Sequence, residues 1–444
     1  MPQDYDVIVI GAGFAGATTA RECATLGLRT LVLEARDRVG GRTWTSELSD
    51  GELIEIGGTY VHWLQPHTWS EISRYGLDAA IEPAVREVPE QLLAPSGANL
   101  VWHDFEDHAG RQKELFERFF EQSMEVVPRP YDPLYAGDAV AEFDKLSIRD
   151  RLDQLNLAPD DYAYLAGVFG GESGVDVSEA SFLTMLRWWS LAGHNHGAFE
   201  EALFGYKLTG GTVGLLNAII SDGGAELRLN EVVTTVVNGD DGVTVSTAGG
   251  GAYSAKVAVV ATPSGIWPRI GFAPALAAER VEAAREGMQV PRGSKIIAVI
   301  RGESRRFYVQ PHPGHPIGFM WTNHLRSADE QVVTIFGTPA LKDATDPDEV
   351  AAAVKSLLPD VEIVEAVTGT YLDDDEFAGG GWPFPKRGQL TRFAPYKKFA
   401  EPEGRLVFAT SDIAAGWCGF IDGAIESGYR AARNVRTVLQ AGSE

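Results

Sequence analysis

Short runs of apolar residues, many of them β-branched, recur along the chain and are separated by helix-length segments. The first run spans residues 7–10, and a glycine-rich turn and a helix-length segment ending near Gly27 follow it. A second strand-like segment, residues 29–33, comes directly afterwards and ends in three apolar residues. Runs of this length are typical of strands buried on both faces of a parallel sheet. The start of the chain is therefore predicted to form a β-α-β unit of an α/β fold.

The same pattern predicts elements further along the chain. Residues 256–263 contain a later apolar run, which is expected to be a buried strand that ends in a proline turn. Between about residues 70 and 204 the pattern is mostly helical, with Phe182, Leu186 and Trp189 repeating at helical spacing. Residues 296–300 and 332–336 predict strands that form the sheet floor of a second domain.

Composition and charge limit the function classes. The chain has 444 residues, 44% of them hydrophobic and 23% charged, which is ordinary for a soluble globular protein. Its net charge of −24 argues against nucleic acid or an anionic membrane as a partner. The two cysteines exclude a disulfide framework, and the sequence shows neither a signal peptide nor a long apolar segment. We expect a soluble, cytoplasmic protein without a metal site; its oligomeric state stays open, a homodimer included.

The turn after the first strand carries the first candidate chemistry. Gly11, Gly13 and Gly16 give the spacing G-x-G-x-x-G between a strand and a helix. The glycines allow a tight turn, close approach of a pyrophosphate and close packing of the helix on the strand. The second strand ends at Glu34, where a carboxylate that binds a ribose hydroxyl is expected. These features together predict a dinucleotide site.

Two later segments indicate which dinucleotide binds. Residues 33–43 read Leu-Glu-Ala-Arg-Asp-Arg-Val-Gly-Gly-Arg-Thr, and residues 416–428 form a glycine-bounded turn that opens the last helix. With the glycine turn, these segments resemble the flavin-containing monoamine oxidase family over nearly the whole chain. The motif spacing is most similar to that of bacterial FAD-dependent amine oxidases, such as the cyclohexylamine and 6-hydroxynicotine oxidases.

The resemblance implies a domain organisation. A Rossmann-like FAD-binding domain, with a parallel sheet and helices, would be interleaved with an α+β substrate domain. The expected FAD-binding segments are residues 1–75, 205–290 and 395–444. The expected substrate-binding segments are residues 76–204 and 291–394.

The resemblance also implies a set of FAD contacts beyond the glycine turn and Glu34. Gly381 replaces the cysteine to which relatives attach the flavin covalently, so FAD is expected to bind non-covalently. The other implied contacts are Phe14, Ala15, Ala35, Arg36, Gly41, Arg42, Thr43, Gly57, Gly58, Thr59, Tyr60, Val233, Thr262, Pro263, Trp382, Ser411, Asp412, Trp417, Gly419, Phe420 and Ile421.

Three residues would carry the chemistry if the resemblance holds. Trp382 and Phe420 match the two aromatic residues that face each other in front of the flavin. Lys295 matches the lysine that holds a water against flavin N5. Tyr60, His62 and Trp63 are expected to complete the substrate pocket, although core packing is an equal alternative for Tyr60 and Trp63.

The implied function is oxidation of a small apolar, cyclic or aromatic amine by hydride transfer to flavin N5, with O2 reduced to H2O2. Residues 58–61 contain no arginine, whereas the similar L-amino acid oxidases place one in this neighbourhood to bind the substrate carboxylate. Alternatives are a desaturase or dehydrogenase with another electron acceptor, an L-amino acid or polyamine oxidase, and a non-enzymatic flavin-bound interaction protein. The sequence identifies neither the amine nor the stereochemical preference.

Overall fold

The computed structural model describes residues 4–85, 89–372, 374–393 and 398–441. Its strands are β1 (Tyr5–Ile10), β2 (Thr30–Leu33), β3 (Thr45–Glu47), β4 (Leu53–Glu55), β5 (Ile81–Pro83), β6 (Gln91–Ser96), β7 (Asn99–Asp104), β8 (Tyr206–Leu208), β9 (Glu226–Arg228), β10 (Val233–Asn238), β11 (Val243–Thr247), β12 (Ala252–Val260), β13 (Gly271–Ala273), β14 (Arg292–Arg301), β15 (Phe307–Val309), β16 (Ile317–Leu325), β17 (Glu330–Gly337), β18 (Glu362–Leu372) and β19 (Leu406–Phe408).

The α-helices alternate with these strands in the first part of the chain and cluster between β7 and β8. They are α1 (Phe14–Thr25), α2 (Pro66–Arg74), α3 (Phe105–Phe119), α4 (Ser123–Val126), α5 (Asp138–Phe143), α6 (Ile148–Gln154), α7 (Pro159–Ser173), α8 (Phe182–Leu191), α9 (His196–Glu200), α10 (Gly211–Gly223), α11 (Ala278–Glu286), α12 (Pro347–Lys355), α13 (Gln389–Phe393) and α14 (Ile421–Ala441). Within the described ranges, no helix is long and apolar enough to cross a membrane.

β1 lies inside the first sheet. Over the described residues this sheet has eight strands, in the order β13-β10-β11-β12-β1-β2-β9, with β19 beside β12. β1 pairs in parallel with both β12 and β2. Val7 and Val9 pack in one apolar cluster with residues of α1 and α14, and Ile8 and Ile10 pack in another on the opposite face. Both faces are covered, which explains the continuous apolar run and confirms the predicted α/β class.

The second sheet has the order β18-β14-β17-β16-β15-β6-β7 among the described strands. The strands predicted at residues 296–300 and 332–336 lie within β14 and β17, which pair antiparallel. β6 and β7 form a hairpin at the edge of this sheet, inside the stretch predicted to be mostly helical. β7 is only partly buried, so its sequence lacks the strong apolar period that marks a core strand.

The helices between β7 and β8 enclose an aromatic core. The rings of Phe119 and Phe169 stack with centroids 4.2 Å apart, and those of Phe120 and Trp189 stack at 4.4 Å. Every residue of α8 is buried, so its aromatic repeat serves packing. Such ring pairs stabilise the core beyond the contribution of the apolar area that the side chains bury.

The two sheets divide the chain in the interleaved manner that the resemblance implies. β1, β2, β9–β13 and β19 belong to the first sheet, whereas β6, β7 and β14–β18 belong to the second. The boundaries given above stay a proposal. Those at residues 394 and 395, like the chain ends 1–3 and 442–444, lie outside the described residues.

A buried ion pair joins three helices of the first domain. Arg21 of α1 donates to both carboxylate oxygens of Glu71 of α2, at 2.5 and 2.8 Å, and neither side chain has exposed surface. The hydroxyl groups of Tyr75 and Tyr429, the second on α14, also bind this guanidinium. Removing one partner of such a pair leaves an uncompensated buried charge.

We expect Arg21→Met to lower the free energy of unfolding by about 3–5 kcal/mol, because Glu71 would stay buried without its cation. Urea denaturation followed by circular dichroism measures the change. Lys113→Met is the matched control, since Lys113 forms an exposed ion pair with Glu117 on α3. Equal stability of the two variants would contradict the assigned role of the pair.

Candidate active site

A cavity of about 490 Å³ extends between the two sheets. Gly11 and Glu34, in loops that follow strands of the first sheet, line part of it. Lys295 of β14 and Phe336 of β17 line another part. The cavity therefore joins the predicted dinucleotide site to the face of the second sheet.

The glycine turn fixes the start of α1 against β1. Gly11 has a φ of +106°, a conformation that side chains disfavour. A Cβ built on Gly16 would lie 1.9 Å from the carbonyl oxygen of Gly11. Only glycine therefore lets α1 begin this close to the turn. The helix N-terminus, which carries free N–H groups and the positive end of the helix dipole, suits a phosphate group.

Glu34 is held by the loops around it. Its Oε2 accepts a hydrogen bond of 2.7 Å from the backbone N–H of Ala12, and its Oε1 accepts one of 3.0 Å from that of Arg36. The side chain is buried, and burial raises its pKa although both hydrogen bonds act in the opposite direction. The carboxyl group thus connects the glycine turn to the end of β2, where a ribose hydroxyl is expected to bind.

Arg42 connects the loop after β2 to two distant segments. Its Nη2 donates to Oδ1 of Asp412 at 2.7 Å and to Oγ of Ser411 at 3.0 Å. Its Nη1 donates to the carbonyl oxygen of Gly381 at 3.1 Å, next to Trp382. Burial alone would raise the pKa of Asp412, but the charge of Arg42 and the hydrogen bonds from Ser264 hold it below its usual value.

The structure places most of the sequence-predicted residues on the wall of this cavity. Their roles stay proposals, but all of these residues line the same cavity. The lining includes Gly11, Gly13, Phe14, Ala15, Glu34, Ala35, Arg36, Gly41, Arg42, Thr43, Gly57, Gly58, Thr59, Tyr60, Val233, Thr262, Pro263, Lys295, Trp382, Ser411, Gly419, Phe420 and Ile421.

Three other predicted residues support the wall from behind. Gly16 packs against the turn, and Asp412 binds Arg42. Trp417 was expected to contact the cofactor, but it is fully buried and donates through Nε1 to the carbonyl oxygen of Leu64. Its ring meets that of Phe420 edge to face, with centroids 5.0 Å apart. Trp417 therefore fixes Phe420, which is the residue on the cavity wall.

His62 and Trp63 lie away from the cavity, in contrast to the prediction from sequence. His62 is buried beside Trp63, with ring centroids 4.0 Å apart, and its Nε2 lies 3.4 Å from Oε2 of Glu201. Trp63 is 45% exposed and also packs on Tyr206. The backbone N–H of Val61 bonds to Tyr206, and this pairing directs the chain away from the cavity after Tyr60.

Aromatic rings dominate the wall opposite the glycine turn. Phe420 meets Trp188 edge to face at 5.3 Å, and Trp382 meets Phe336 edge to face at 6.4 Å. A Cβ built on Gly174, at the end of α7, would lie 2.8 Å from Cζ2 of Trp382. Trp382 and Phe420 are thus fixed by separate sets of neighbours, and both face one cavity.

Lys295 is the buried cation of this aromatic region. Its Nζ donates to Oγ1 of Thr59 at 2.5 Å and lies 5.0 Å from the ring centre of Tyr60. Burial lowers the pKa of Lys295 to about 7, although the charge of Glu55 acts in the opposite direction. Near neutral pH the amine can therefore hold or release a proton at Nζ.

Sequence reasoning missed a group of wall residues from the helical stretch and the second sheet. Glu172 had a usable signal, since it is a charged residue on a helix whose last two turns are otherwise mostly apolar and small. Phe204 lies within a π-helix, Glu201–Gly205, that no local pattern indicates. The missed residues are Glu172, Trp188, Leu203, Phe204, Phe319 and Phe336.

We expect Glu34→Ala to weaken FAD binding by about tenfold to a hundredfold, because hydrogen bonds to a charged group contribute about 1.5–3 kcal/mol each. The ratio of flavin to protein absorbance after dialysis measures the loss. Glu47→Ala is the control, since Glu47 is exposed on β3. Full FAD content in Glu34→Ala protein would contradict the assigned contact.

Comparisons with known proteins agree with this geometry. The chain is 35% identical to the nicotine dehydrogenase of Pseudomonas putida over 442 residues, which cover 98% of this chain and 89% of that protein. It is 28% identical to the (S)-6-hydroxynicotine oxidase of Paenarthrobacter nicotinovorans, over 95% of this chain and 97% of that one. The solved structure of a putrescine oxidase bound to putrescine has the same fold, with a TM-score of 0.80, 21% identity, and coverage of 98% and 99%. The model of the family described as flavin containing amine oxidoreductase matches residues 14–436, and the chain belongs to that family as an FAD-dependent amine oxidoreductase.

Proposed function

We propose that this chain oxidises the C–N bond of a small apolar, cyclic or aromatic amine, with hydride transfer to flavin N5 and O2 as the electron acceptor. The observation that carries the proposal is the single cavity shared by the glycine turn and the aromatic pair Trp382 and Phe420. The oxidase from Paenarthrobacter nicotinovorans bears the name of a cyclic amine, which supports this substrate class.

The residues present fit FAD. The first turn of α1 and Glu34 offer sites for a pyrophosphate and a ribose, and the buried Oγ1 of Thr262 has no hydrogen-bond partner among the described residues. When bound, FAD supplies the hydride acceptor. We propose non-covalent binding, since Gly381 has no side chain for attachment. Burial raises the pKa of the Cys418 thiol to about 12, so this cysteine is a poor nucleophile.

The aromatic wall selects the protonation state of the substrate. An amine between Trp382 and Phe420 loses most of its hydration, and desolvation disfavours the ammonium form. The neutral amine keeps the nitrogen lone pair that assists loss of a hydride from the neighbouring carbon. The rings would also restrict the orientation of that carbon, because each is held in place by its own neighbours.

Lys295 would position water beside the reacting atoms. Its Nζ donates to Oγ1 of Thr59 and to the carbonyl oxygen of Gly57, which leaves one further hydrogen-bonding position for a water molecule. In the neutral form Nζ also accepts a hydrogen bond, which the ammonium form cannot do. This water would take part in hydrolysis of the imine product or in the reaction with oxygen.

A second candidate differs only in the electron acceptor. The relative from Pseudomonas putida is named a dehydrogenase, which favours an acceptor other than O2 for some members of this group. Both candidate functions use the same cavity and the same amine chemistry. They are distinguished by the molecule that accepts the electrons from the reduced flavin.

We expect the holoenzyme to consume O2 and form H2O2 in equal amounts when it turns over cyclohexylamine, benzylamine or nicotine. An oxygen electrode and a peroxidase-coupled assay measure the two quantities on one sample. Amine oxidation that proceeds with dichlorophenolindophenol or cytochrome c but not with O2 would contradict the oxidase and favour the dehydrogenase.

We expect Lys295→Met to keep FAD and the yellow colour but to slow turnover by about tenfold or more. The wild-type rate should rise as pH increases through about 7, where Lys295 loses its proton, and the variant should lack this rise. Initial rates between pH 6 and 9 measure both effects, with exposed Lys113→Met as the control. An unchanged rate and pH profile would remove Lys295 from the mechanism.

A further inference from the structure

Glu172 is a carboxyl group on the cavity wall that the reaction described above does not use. It lies on the last turn of α7, is 7% exposed and lines the cavity. Its Oε2 is buried and has no hydrogen-bond partner among the described residues. No lysine or arginine among the described residues forms an ion pair with Glu172. A buried carboxyl without a partner is unfavourable for folding, which indicates a role other than stability.

The other carboxyl groups on the wall are already engaged or distant from the aromatic rings. Glu34 accepts two backbone hydrogen bonds, and Glu231 accepts one from the hydroxyl of Tyr253. Glu376 adjoins Phe377, whose ring packs on Arg36 near the dinucleotide end. Glu172 is therefore the carboxyl group available to a molecule bound between the aromatic rings.

The neighbours of Glu172 locate it in the substrate region. Gly171, the preceding residue, packs so closely on Phe319 that a built Cβ would lie 2.5 Å from that ring. Gly174, the residue that ends α7 two positions later, packs on Trp382, and a built Cβ would lie 2.8 Å from Cζ2 of that ring. Glu172 thus lies between two residues that pack on Phe319 and Trp382, and it lines the same cavity as these rings.

A second carboxyl group, Glu200 of α9, acts on Glu172 and is partly exposed. Burial, followed by the charge of Glu200, raises the pKa of Glu172 well above its usual value, and burial raises that of Glu200 to about 7. The phenol groups of Tyr164 and Tyr308 face the same two carboxyls. Because no cation among the described residues acts on this pair, an incoming positive charge would be favoured there.

We propose that Glu172, supported by Glu200, binds a second basic nitrogen of the substrate, separate from the nitrogen whose C–N bond is oxidised. This inference rests on the proposed function and narrows its substrate class from apolar amines to amines with two nitrogens. A distal ammonium would form a charge-assisted hydrogen bond with Glu172, and a neutral basic nitrogen would accept the proton that the pair holds. The reacting amine stays neutral between Trp382 and Phe420.

The test compares substrates that differ only in the second nitrogen. Nicotine and N-methyl-2-phenylpyrrolidine have nearly the same shape, and cadaverine and pentylamine share a five-carbon chain. In each pair only the first compound has a second nitrogen. Anaerobic stopped-flow reduction of the bound flavin gives the dissociation constant and the limiting rate separately for each amine. We expect the wild-type holoenzyme to bind the two-nitrogen member of each pair about tenfold more tightly.

Glu172→Gln should remove this preference and change the dissociation constant of the one-nitrogen amines by less than about twofold. Glu201→Gln is the matched control, because Glu201 is the neighbour of Glu200, is half exposed and contacts His62 outside the cavity. Glu200→Gln should reduce the preference in part, and it carries the test if Glu172→Gln protein does not retain FAD. A merely structural role of Glu172 would not change the ratio within a pair.

Equal binding of both members by the wild type, or an equal loss for both in Glu172→Gln, would overturn the inference and leave the proposed function intact. If the Glu172→Gln protein does not retain FAD, an unchanged preference in the Glu200→Gln protein would overturn the inference as well. Failure of all four amines to reduce the flavin would instead contradict the proposed function.

Discussion

The buried contact between Arg42 and Asp412 sets the geometry on which the rest of the site depends. Arg42 lies in the loop after the second strand, Asp412 lies more than 360 residues later, and the same guanidinium binds the carbonyl oxygen of Gly381. Asp412 in turn accepts hydrogen bonds from the backbone N–H and the hydroxyl of Ser264. One ion pair thus brings together the dinucleotide loop, the segment before the last helix and the loop that carries Trp382. Because Asp412 is fully buried, its charge is stable only while Arg42 is in place.

The chemistry follows from this convergence. Trp382 follows Gly381 directly, and Phe420 lies between Asp412 and the last helix, so Arg42 binds both segments that carry these rings. Each ring is then fixed by its own neighbours. Lys295 comes from the second sheet, where the hydroxyl of Thr59 holds its amine against the wall. The result is a low-dielectric space in which a neutral amine is favoured at one position. In the proposed binding mode, Glu172 adds a carboxyl group on the wall of the same cavity, where a positive charge is favoured.

Much of this arrangement could be predicted from sequence because it is encoded locally. The glycine turn, Glu34 and the loop with Arg42 form one contiguous stretch, and their spacing reflects the geometry of a single β-α-β unit. Trp63 and His62 were misplaced because the backbone pairing after Tyr60 is a tertiary contact with no local signal. Glu172 stands out as a charged residue in a mostly apolar helix end, but its helix is buried on several sides, so the sequence does not indicate which face meets the cavity. Phe204 depends on a π-helix, which sequence periodicity does not report.

The most direct test of the central claim, that one cavity brings an amine to a bound flavin, is anaerobic bleaching of the purified yellow protein. The panel contains cyclohexylamine, benzylamine, nicotine, putrescine and several L-amino acids, and absorbance near the flavin maximum is followed after each addition. The account predicts bleaching by amines that lack a carboxylate, with the colour restored by an electron acceptor. Bleaching by L-amino acids alone, or by no compound in the panel, would contradict it.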